Sequence, residues 1–279
     1  MKFTKMHGTG NDYIYVNGFI EQIDNPEQAA IVWSDRHTGI GSDGLVLILP
    51  SETCDFRMRM FNADGSESEM CGNASRCIGK YVYDKGMTTK TKLTLETLAG
   101  IRTLELYPDK YGKVQTVTVD MGVPVMDAAS IPVATEYQEL INRPLRFDKK
   151  INYNVTAVSM GNPHAVIFTE KIDLLNLEAI GPVIENSSFF PRRVNTEFIE
   201  ISGSDRIKMR VWERGSGETM ACGTGACASV VAGVVNGKTA RKVTVELKGG
   251  ELQIEWNALD NHVYLTGPAT FVFEGETMQ

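Results

Sequence analysis

The chain has 279 residues, of which 42% are hydrophobic and 23% are charged, a composition typical of a soluble globular protein. The formal net charge is −7 at pH 7 and no concentrated basic stretch offsets it, so a nucleic-acid partner is not expected. No apolar run approaches the roughly 20 residues that span a bilayer, and the N-terminus lacks the apolar core of a signal peptide. Five cysteines without a dense framework favour a reducing, cytoplasmic location.

In the first half of the chain, glycine-bearing turns separate short apolar runs. The pattern predicts a surface helix near residues 26–33 and a second helix over residues 72–85 that ends before Gly86, since glycine is favoured just after a helix. Alternating or continuous apolar residues predict strands at 13–16, 45–49, 56–61, 93–95, 103–106 and 114–121. The last three of these strands are expected to form an antiparallel meander.

The second half repeats this plan. A helix is predicted over residues 223–235, and its Ala, Val, Ser and Gly content leaves no polar face, so we expect the helix to be buried inside a sheet. A final strand at residues 270–273 has no counterpart in the first half and is expected to return to the first domain. The other predicted strands are 155–159, 165–168, 198–201, 207–212, 243–246, 252–256 and 263–265.

Each half carries a cysteine at the start of its predicted helix, and the two are 151 residues apart (222 − 71). At the same offset residues 58–62 align with 209–213, Asn11 with Asn162, and Gly86 with Gly237. A repeat of this length indicates two duplicated domains instead of a solenoid. We therefore predict an N-terminal domain of residues 1–122 plus 268–279 and a C-terminal domain of residues 123–267.

Cys71 and Cys222 occupy positions where a thiol is chemically useful. A helix N-terminus presents unpaired N–H groups and the positive end of its dipole, so we expect the pKa of each thiol to be lowered toward neutrality. Both are expected to be exposed, and together they form a matched pair of proton carriers. Cys54, Cys77 and Cys227 are predicted to be structural, because buried cysteine behaves as a small hydrophobic residue.

Two competing interpretations of these motifs are rejected. Residues 39–44 match the dinucleotide fingerprint but precede a strand, and residues 223–228 open a helix without a leading strand, so neither predicts a nucleotide site. Cysteine spacings of five and four intervening residues do not fit a structural zinc site, and no metal is expected. The glycine run at residues 223–225 instead suggests bare N–H groups that bind a carboxylate.

Two further motifs leave alternatives open. His164 is either a hydrogen-bonded turn residue or a residue that adjusts the charge state of a thiol. Glu213 and Arg214 form either a surface ion pair or part of a pocket, since they lie between an apolar strand and a glycine loop.

Taken together, the motifs closely resemble those of the diaminopimelate epimerase family over nearly the whole chain. The segments that carry the resemblance are 7–12, 36–41, 61–66, 70–73, 161–164 and 213–225. Gly44 is a departure from those family members that carry glutamine at this position, although other members have glycine there.

The resemblance implies an α/β (α+β-like) fold of two pseudo-twofold-related domains, each a curved, mostly antiparallel sheet around a central helix. It also implies an isomerase that interconverts LL- and meso-2,6-diaminopimelate, without pyridoxal phosphate or any other cofactor, in lysine and peptidoglycan precursor synthesis. The implied partner is this small amino acid, with no membrane partner, and the implied assembly is a homodimer. The implied roles are catalysis by Cys71 and Cys222, tuning of thiol pKa by His164 and Glu213, and substrate binding by Asn11, Asn62, Gly72, Asn73, Asn162, Asn195, Glu213, Arg214, Gly223 and Thr224.

The chemistry of the two thiols agrees with this reaction, because inverting a stereocentre requires one group to remove the α-proton and another to return a proton to the opposite face. Two thiolates at short range would repel, so one thiolate and one thiol are expected. Two alternatives remain at this stage. One is a proline racemase or hydroxyproline epimerase, which also uses paired cysteines, and the other is a non-catalytic amino-acid-binding protein whose cysteines merely cap helices.

Overall fold

The computed structural model describes residues 1–278, and its fold is α+β with two compact units. One unit comprises Met1–Asp120 together with residues 266–278, and the other comprises Met121–Leu265. The described residues contain four α-helices, and strands account for most of the remaining regular structure.

The first unit contains a mixed sheet, and its first two strands form a hairpin. Strand β1 pairs antiparallel with β2, β2 pairs parallel with β3, and β3 pairs antiparallel with β4. Strand β4 pairs with the short β5 and, in parallel, with β6, after which β6, β7 and β8 form the antiparallel meander that the sequence predicted. The strand bounds are β1 Lys2–Gly8, β2 Asn11–Asn17, β3 Gly44–Leu49, β4 Phe56–Asn62, β5 Glu67–Ser68, β6 Lys92–Thr97, β7 Gly100–Pro108 and β8 Val114–Asp120.

Two helices pack on this sheet. Helix α1 (Pro26–Ser34) lies on β3 and β4, where Ala30 and Trp33 join the buried apolar side chains. Helix α2 (Gly72–Asp84) lies against β1, β7 and β8, with residues 72–82 all buried. Gly86 follows this helix with φ of +72°, the left-handed conformation that ends a helix and that glycine adopts without strain.

The second unit uses the same pairing plan. Strand β10 pairs antiparallel with β11, β11 pairs parallel with β12, and β12 pairs antiparallel with β13. Strand β13 then pairs with the short β14 and, in parallel, with β15, which pairs antiparallel with β16. The strand bounds are β9 Arg143–Arg146, β10 Asn152–Ser159, β11 Pro163–Phe168, β12 Asn195–Gly203, β13 Arg206–Glu213, β14 Gly217–Glu218, β15 Lys242–Leu247, β16 Gly250–Trp256 and β17 Val263–Pro268.

Helix α4 (Gly223–Val235) is the counterpart of α2, and it begins 151 residues after it and has the same 13-residue length. Its first ten residues are buried except for Thr224, which agrees with the buried helix predicted from the missing polar face. Helix α4 packs against β10, β11, β12, β15 and β16.

The sequence missed strands β1 and β5 of the first unit and several elements of the second unit, including β14. Helix α3 (Leu177–Glu185) was not predicted, and it contains Pro182. Strand β9 was also missed, and it pairs antiparallel with β10. In the same way, the last strand of the chain, β18 (Thr270–Glu276), pairs antiparallel with β1. The last strand therefore returns to the first unit as predicted. The expectation that it has no counterpart is wrong, because β9 occupies the equivalent position in the second unit. No helix among residues 1–278 is both long and apolar enough to cross a membrane.

Candidate active site

Cys71 is the N-cap residue of α2, with an extended backbone conformation that stops the helix from extending further back. The Ala74 amide donates to its Sγ at 3.5 Å, so the thiol occupies the place that a serine or aspartate oxygen takes in an ordinary cap. The Cys71 thiol also lies 3.6 Å from Asn11 Oδ1. The side chain is half-buried.

Asn11 connects this thiol to an ionic network at the start of β2. Its Oδ1 accepts from Asn73 Nδ2 at 3.1 Å, and its Nδ2 donates to Asp43 Oδ2 at 2.7 Å. An ionised Asp43 accepts hydrogen bonds and cannot donate them, so it must face the Nδ2 group of Asn11 and thereby fixes the orientation of that amide. We call Cys71, Asn73, Asn11 and Asp43 the Cys71 cluster.

Cations surround the carboxylates behind the Cys71 cluster. Arg36 Nη2 lies 2.8 Å from both Asp12 Oδ1 and Asp43 Oδ1, and Lys5 Nζ lies 2.7 Å from Asp12 Oδ2. Burial tends to raise the pKa of Asp12, but the hydrogen bonds from Arg36 and Lys5 outweigh it, and the net pKa shift is downward. Burial and the neighbouring charge of Asp12 raise the pKa of Asp43.

Cys222 is the N-cap residue of α4, and its surroundings differ from those of Cys71. Only 5% of the residue is exposed, so the expectation of two exposed thiols is wrong for Cys222. Its Sγ lies 3.5 Å from Thr224 Oγ1, and Thr224 Oγ1 accepts from Asn162 Nδ2 at 3.3 Å.

His164 continues the chain of contacts away from Cys222. Its Nε2 lies 2.9 Å from Asn162 Oδ1, and its Nδ1 lies 2.7 Å from Glu197 Oε1. Both His164 and Glu197 are fully buried. His164 is therefore in the hydrogen-bond network of the thiol, and we call Cys222, Thr224, Asn162, His164 and Glu197 the Cys222 cluster.

Burial raises the pKa of Cys222 well above its ordinary value, and the charges of Glu213 and Glu197 raise it further. Hydrogen bonds from Thr224 and from the Gly225 amide act in the opposite direction but do not compensate. The expectation that the helix start lowers this pKa is therefore wrong for Cys222, because desolvation and two carboxylates outweigh the helix dipole. Burial also raises the pKa of Glu213, which accepts a hydrogen bond from the Thr219 hydroxyl.

Asn195 and Arg214 form a second group beside His164. Asn195 pairs with His164 across the parallel strands β12 and β11, and its Nδ2 donates to the Pro163 carbonyl at 3.0 Å. Its Oδ1 accepts from the Arg214 amide at 2.9 Å, which fixes the backbone at the end of β13. The Arg214 side chain is exposed, and its guanidinium donates to the Arg192 carbonyl. No carboxylate among the described residues forms an ion pair with it.

Asn62 lies at the end of β4, opposite Gly44 in the antiparallel pair of β3 and β4. Its Nδ2 donates to Ser66 Oγ at 3.0 Å, and no hydrogen bond in the described part of the chain joins it to the Cys71 cluster. A Cβ at Gly44 would lie 2.0 Å from the Phe61 carbonyl oxygen. Position 44 therefore has no room for a side chain in this backbone, which explains why it carries no pocket residue.

The first amides of both helices suit the binding of a carboxylate. Gly72 and Asn73 begin α2, and Gly223 and Thr224 begin α4, so their N–H groups have no acceptor one turn earlier in the helix. Such groups, with the positive end of the dipole, favour an anion.

Sequence reasoning missed Glu197 and Asp43, the carboxylates behind the two asparagines. The signal for Glu197 was a carboxylate directly before the strand predicted from residue 198. Asp43 was hidden within the glycine motif that was rejected as a nucleotide site. No group of three or more His, Cys, Asp or Glu side chains in residues 1–278 is arranged to hold a metal ion, and all five cysteines are free.

The fold places the chain in a class of known proteins. Over its whole length it is similar to a phenazine biosynthesis protein of the PhzF family from Bacillus anthracis, with a TM-score of 0.72 and 17% identity, covering 100% of this chain and 99% of that one. It is also similar to a hydroxyproline epimerase from Agrobacterium vitis, with a TM-score of 0.70 and 15% identity, covering 99% of this chain and 91% of that one. At these identities the comparisons establish the two-domain α+β fold.

Sequence comparison identifies the family within this fold. The model of the diaminopimelate epimerase family matches residues 3–126 and 156–272. The chain is 59% identical to the diaminopimelate epimerase of Acetivibrio thermocellus over 276 residues, which cover 99% of this chain and 98% of that protein. The chain therefore belongs to the diaminopimelate epimerase family, and it is an isomerase.

Proposed function

We propose that the chain interconverts LL-2,6-diaminopimelate and meso-2,6-diaminopimelate by a two-base mechanism, in which one of Cys71 and Cys222 removes the α-proton and the other returns a proton. One observation carries the proposal. Each cysteine precedes a 13-residue helix. Asn11 at the start of β2 and Asn162 just before β11 each form a hydrogen bond with the side chain of the second residue of that helix. This duplicated arrangement supplies two proton carriers of the same kind.

The α-proton of an amino acid is very weakly acidic, so the carbanion needs stabilisation at its own carboxylate. We assign this role to the N–H groups of Gly72, Asn73, Gly223 and Thr224, which are fixed before the reaction begins. Fixed donors directed at a developing charge cost no reorganisation in the transition state, as in an oxyanion hole. This assignment requires no cofactor to delocalise the charge.

The distal amino-acid group of the substrate is assigned to Arg214, Glu213, Asn195 and Asn62. The Arg214 guanidinium is suited to a bidentate contact with the distal carboxylate. Asparagine oxygens and Glu213 are suited to accept from the ammonium groups, and the remaining contacts are assigned to Asn11 and Asn162. These groups favour diaminopimelate over proline, which has no distal group to contact them.

Opposite charge states are proposed for the two thiols before the reaction. Because burial and the carboxylates of Glu213 and Glu197 raise the pKa of Cys222, we assign the thiol form to Cys222 and the thiolate to Cys71. His164 and Glu213 are proposed to adjust this distribution.

Turnover in deuterated water tests the mechanism and the substrate together. Starting from LL-diaminopimelate, we expect the first meso product to carry solvent deuterium while the remaining substrate keeps its proton. In parallel, kcat/KM is compared for LL-diaminopimelate, lysine and proline. Proline turned over as fast as diaminopimelate would move the assignment to the proline racemase branch. The absence of both turnover and exchange, with ligand still bound, would support the non-catalytic alternative.

The remaining parts of the proposal follow from the family. We propose a homodimer, a cytoplasmic location and a role in lysine and peptidoglycan precursor synthesis. Light scattering on the purified protein measures the assembly state, and a monomer at working concentration would contradict the dimer.

A further inference from the structure

Glu197 is a fully buried carboxylate whose contact with His164 has no role in the proposed reaction. It lies on β12, and its Oε1 contacts His164 Nδ1 at 2.7 Å. Its Oε2 is buried and has no hydrogen-bond partner among the described residues. Burying an ionised carboxylate is costly unless a partner compensates its charge, so its pairing with His164 calls for an explanation.

The first turn of α4 leaves room for this carboxylate. A Cβ at Gly225 would lie 2.5 Å from Glu197 Oε1, so any larger residue there would push the carboxylate or the helix away. The carboxylate thus lies against the backbone at the start of α4.

Both ring nitrogens of His164 face oxygen atoms. Nδ1 faces Glu197 Oε1, and Nε2 faces Asn162 Oδ1, while the Asn162 Nδ2 group is used in donating to Thr224 Oγ1. An amide oxygen can only accept, so Nε2 must carry a hydrogen. An ionised Glu197 also only accepts, and Nδ1 must then carry one as well.

We propose that Glu197 is a positioning residue that keeps His164 doubly protonated and thereby orients the hydrogen bonds that reach Cys222. His164 Nε2 donates to Asn162 Oδ1, Asn162 Nδ2 donates to Thr224 Oγ1, and the Thr224 hydroxyl is left to donate to Cys222 Sγ. The inference rests on the proposed function, because it matters for catalysis only if Cys222 must exist as a thiolate during turnover.

This arrangement offsets the environment that opposes the Cys222 thiolate. Besides Glu197, the titratable groups that act on His164 and Cys222 include Glu213 on β13, whose carboxyl group interacts with both of them. A thiolate beside two carboxylates needs a directed donor and a nearby cation. The Thr224 hydroxyl and the His164 imidazolium supply them.

The ring of His164 can be observed directly by ¹⁵N NMR of histidine-labelled protein. The chain has four histidines, and a His164→Gln variant assigns the signal. From the hydrogen-bond geometry we expect both His164 nitrogens to be protonated in the wild-type enzyme at pH 8.5, where a free imidazole is neutral. In Glu197→Gln, where the charge is removed and the shape retained, we expect a neutral ring with one protonated nitrogen.

Asp84→Asn is the matched control. Asp84 is also a buried carboxylate paired with a cation, at 2.8 Å from Lys80, but it lies at the far end of α2 in the other unit. It should lower stability without changing the His164 spectrum. A neutral His164 in the wild-type enzyme, or the same protonation state in wild type and Glu197→Gln, would overturn the proposal. If Glu197→Gln does not fold, a neutral His164 in the wild-type enzyme would still overturn the proposal, and Glu197→Ala would replace that variant in the comparison.

Activity provides the second measurement. Glu197→Gln is expected to lower kcat by roughly 10- to 100-fold, as for the loss of a hydrogen bond to a charged group, with a smaller change in KM. Glu197→Asp, which retains the charge, should recover part of that loss, whereas a purely structural role would make the shorter residue worse. If the NMR result holds and the wild-type enzyme fails to epimerise, the proposed function is wrong while the protonation of His164 stands.

Discussion

The Cys71 cluster and the Cys222 cluster occupy equivalent positions in two copies of one fold, but their charge environments differ. In the first unit Tyr13 pairs with Gly44 across parallel strands. At the same offset in the second unit, His164 pairs with Asn195. Val46 corresponds likewise to Glu197, and Asn62 to Glu213. An imidazole and two carboxyl groups of the second unit therefore stand where the first unit has a tyrosine, a valine and an asparagine.

The comparison shows that the duplication preserved the backbone and allowed the protonation chemistry to diverge. In both clusters an asparagine links the helix start to a carboxylate, directly to Asp43 in the first and through His164 to Glu197 in the second. In the first, cations from Arg36 and Lys5 lie around Asp43 and Asp12. In the second, Glu197 contacts one imidazole and is fully buried. A two-base mechanism benefits from this difference, because unlike surroundings let one thiol be charged while the other is neutral.

Removal of either thiol of the proposed catalytic pair should have the largest effect. We expect Cys71→Ala and Cys222→Ala each to lower kcat by at least about 100-fold, because general acid–base catalysis usually contributes 10²- to 10⁴-fold. Cys71→Ala should unfold at nearly the wild-type temperature. Cys222 is buried, so Cys222→Ala should cost about 1 kcal/mol through a small cavity. Steady-state kinetics and thermal denaturation measure the two effects.

Cys227→Ala is the control for Cys222→Ala, since it removes a buried thiol from the same helix outside the Cys222 cluster. It should keep most of the activity. More than trace turnover in either catalytic variant would rule out a mechanism that needs both thiols.

An intermediate effect is expected in the reactivity of the two thiols. Because the pKa of Cys222 is raised, less of it is thiolate at neutral pH, and each unit of pKa lowers the thiolate fraction about tenfold. Alkylation by iodoacetamide, followed by peptide mass spectrometry from pH 7 to 10, should modify Cys71 first. The rate at Cys222 should continue to rise well above pH 8.5.

Urea-unfolded protein is the reference for this measurement, because both thiols should then react at similar rates. The shape of the pH dependence, instead of the absolute rate, separates a raised pKa from simple burial. If Cys222 reacts as fast as Cys71 at pH 7 in the folded enzyme, the different charge environments of the two clusters do not change the reactivity of the thiols.

The smallest effect is expected at Cys77, a buried thiol of α2 that does not contact Asn11. Cys77→Ala should keep its activity and lose about 1 kcal/mol of unfolding free energy. Burial raises the pKa of Cys77 to about 11, so between about pH 8.5 and 11 the folded chain holds a proton that the unfolded chain has lost. This group makes the protein less stable as the pH rises through that range.

Urea denaturation at several pH values should therefore show a shallower loss of stability in Cys77→Ala than in the wild type. An equal slope in both proteins would show that Cys77 does not contribute. A large loss of activity would show that the division into functional and structural cysteines is wrong.

The sequence by itself determined the repeat, the two buried helices and the positions of Cys71 and Cys222 at the helix starts. Each of these depends on local signals: apolar periodicity, glycine after a helix end, and small residues after a cysteine. Helices α2 and α4 begin 151 residues apart, which is the offset between the two cysteines. The same offset placed Asn11 and Asn162 as equivalent residues, and the structure joins each to the second residue of a helix.

Only the tertiary structure decided the charge state around each thiol. The sequence predicted a lowered pKa from the helix dipole, which is local, whereas the pKa of Cys222 depends on burial and on Glu197 and Glu213 from neighbouring strands. Glu197 lies 25 residues before Cys222 (222 − 197) and reaches α4 because Gly225 leaves it room. Desolvation and charge interactions depend on distances through space, which sequence spacing does not encode.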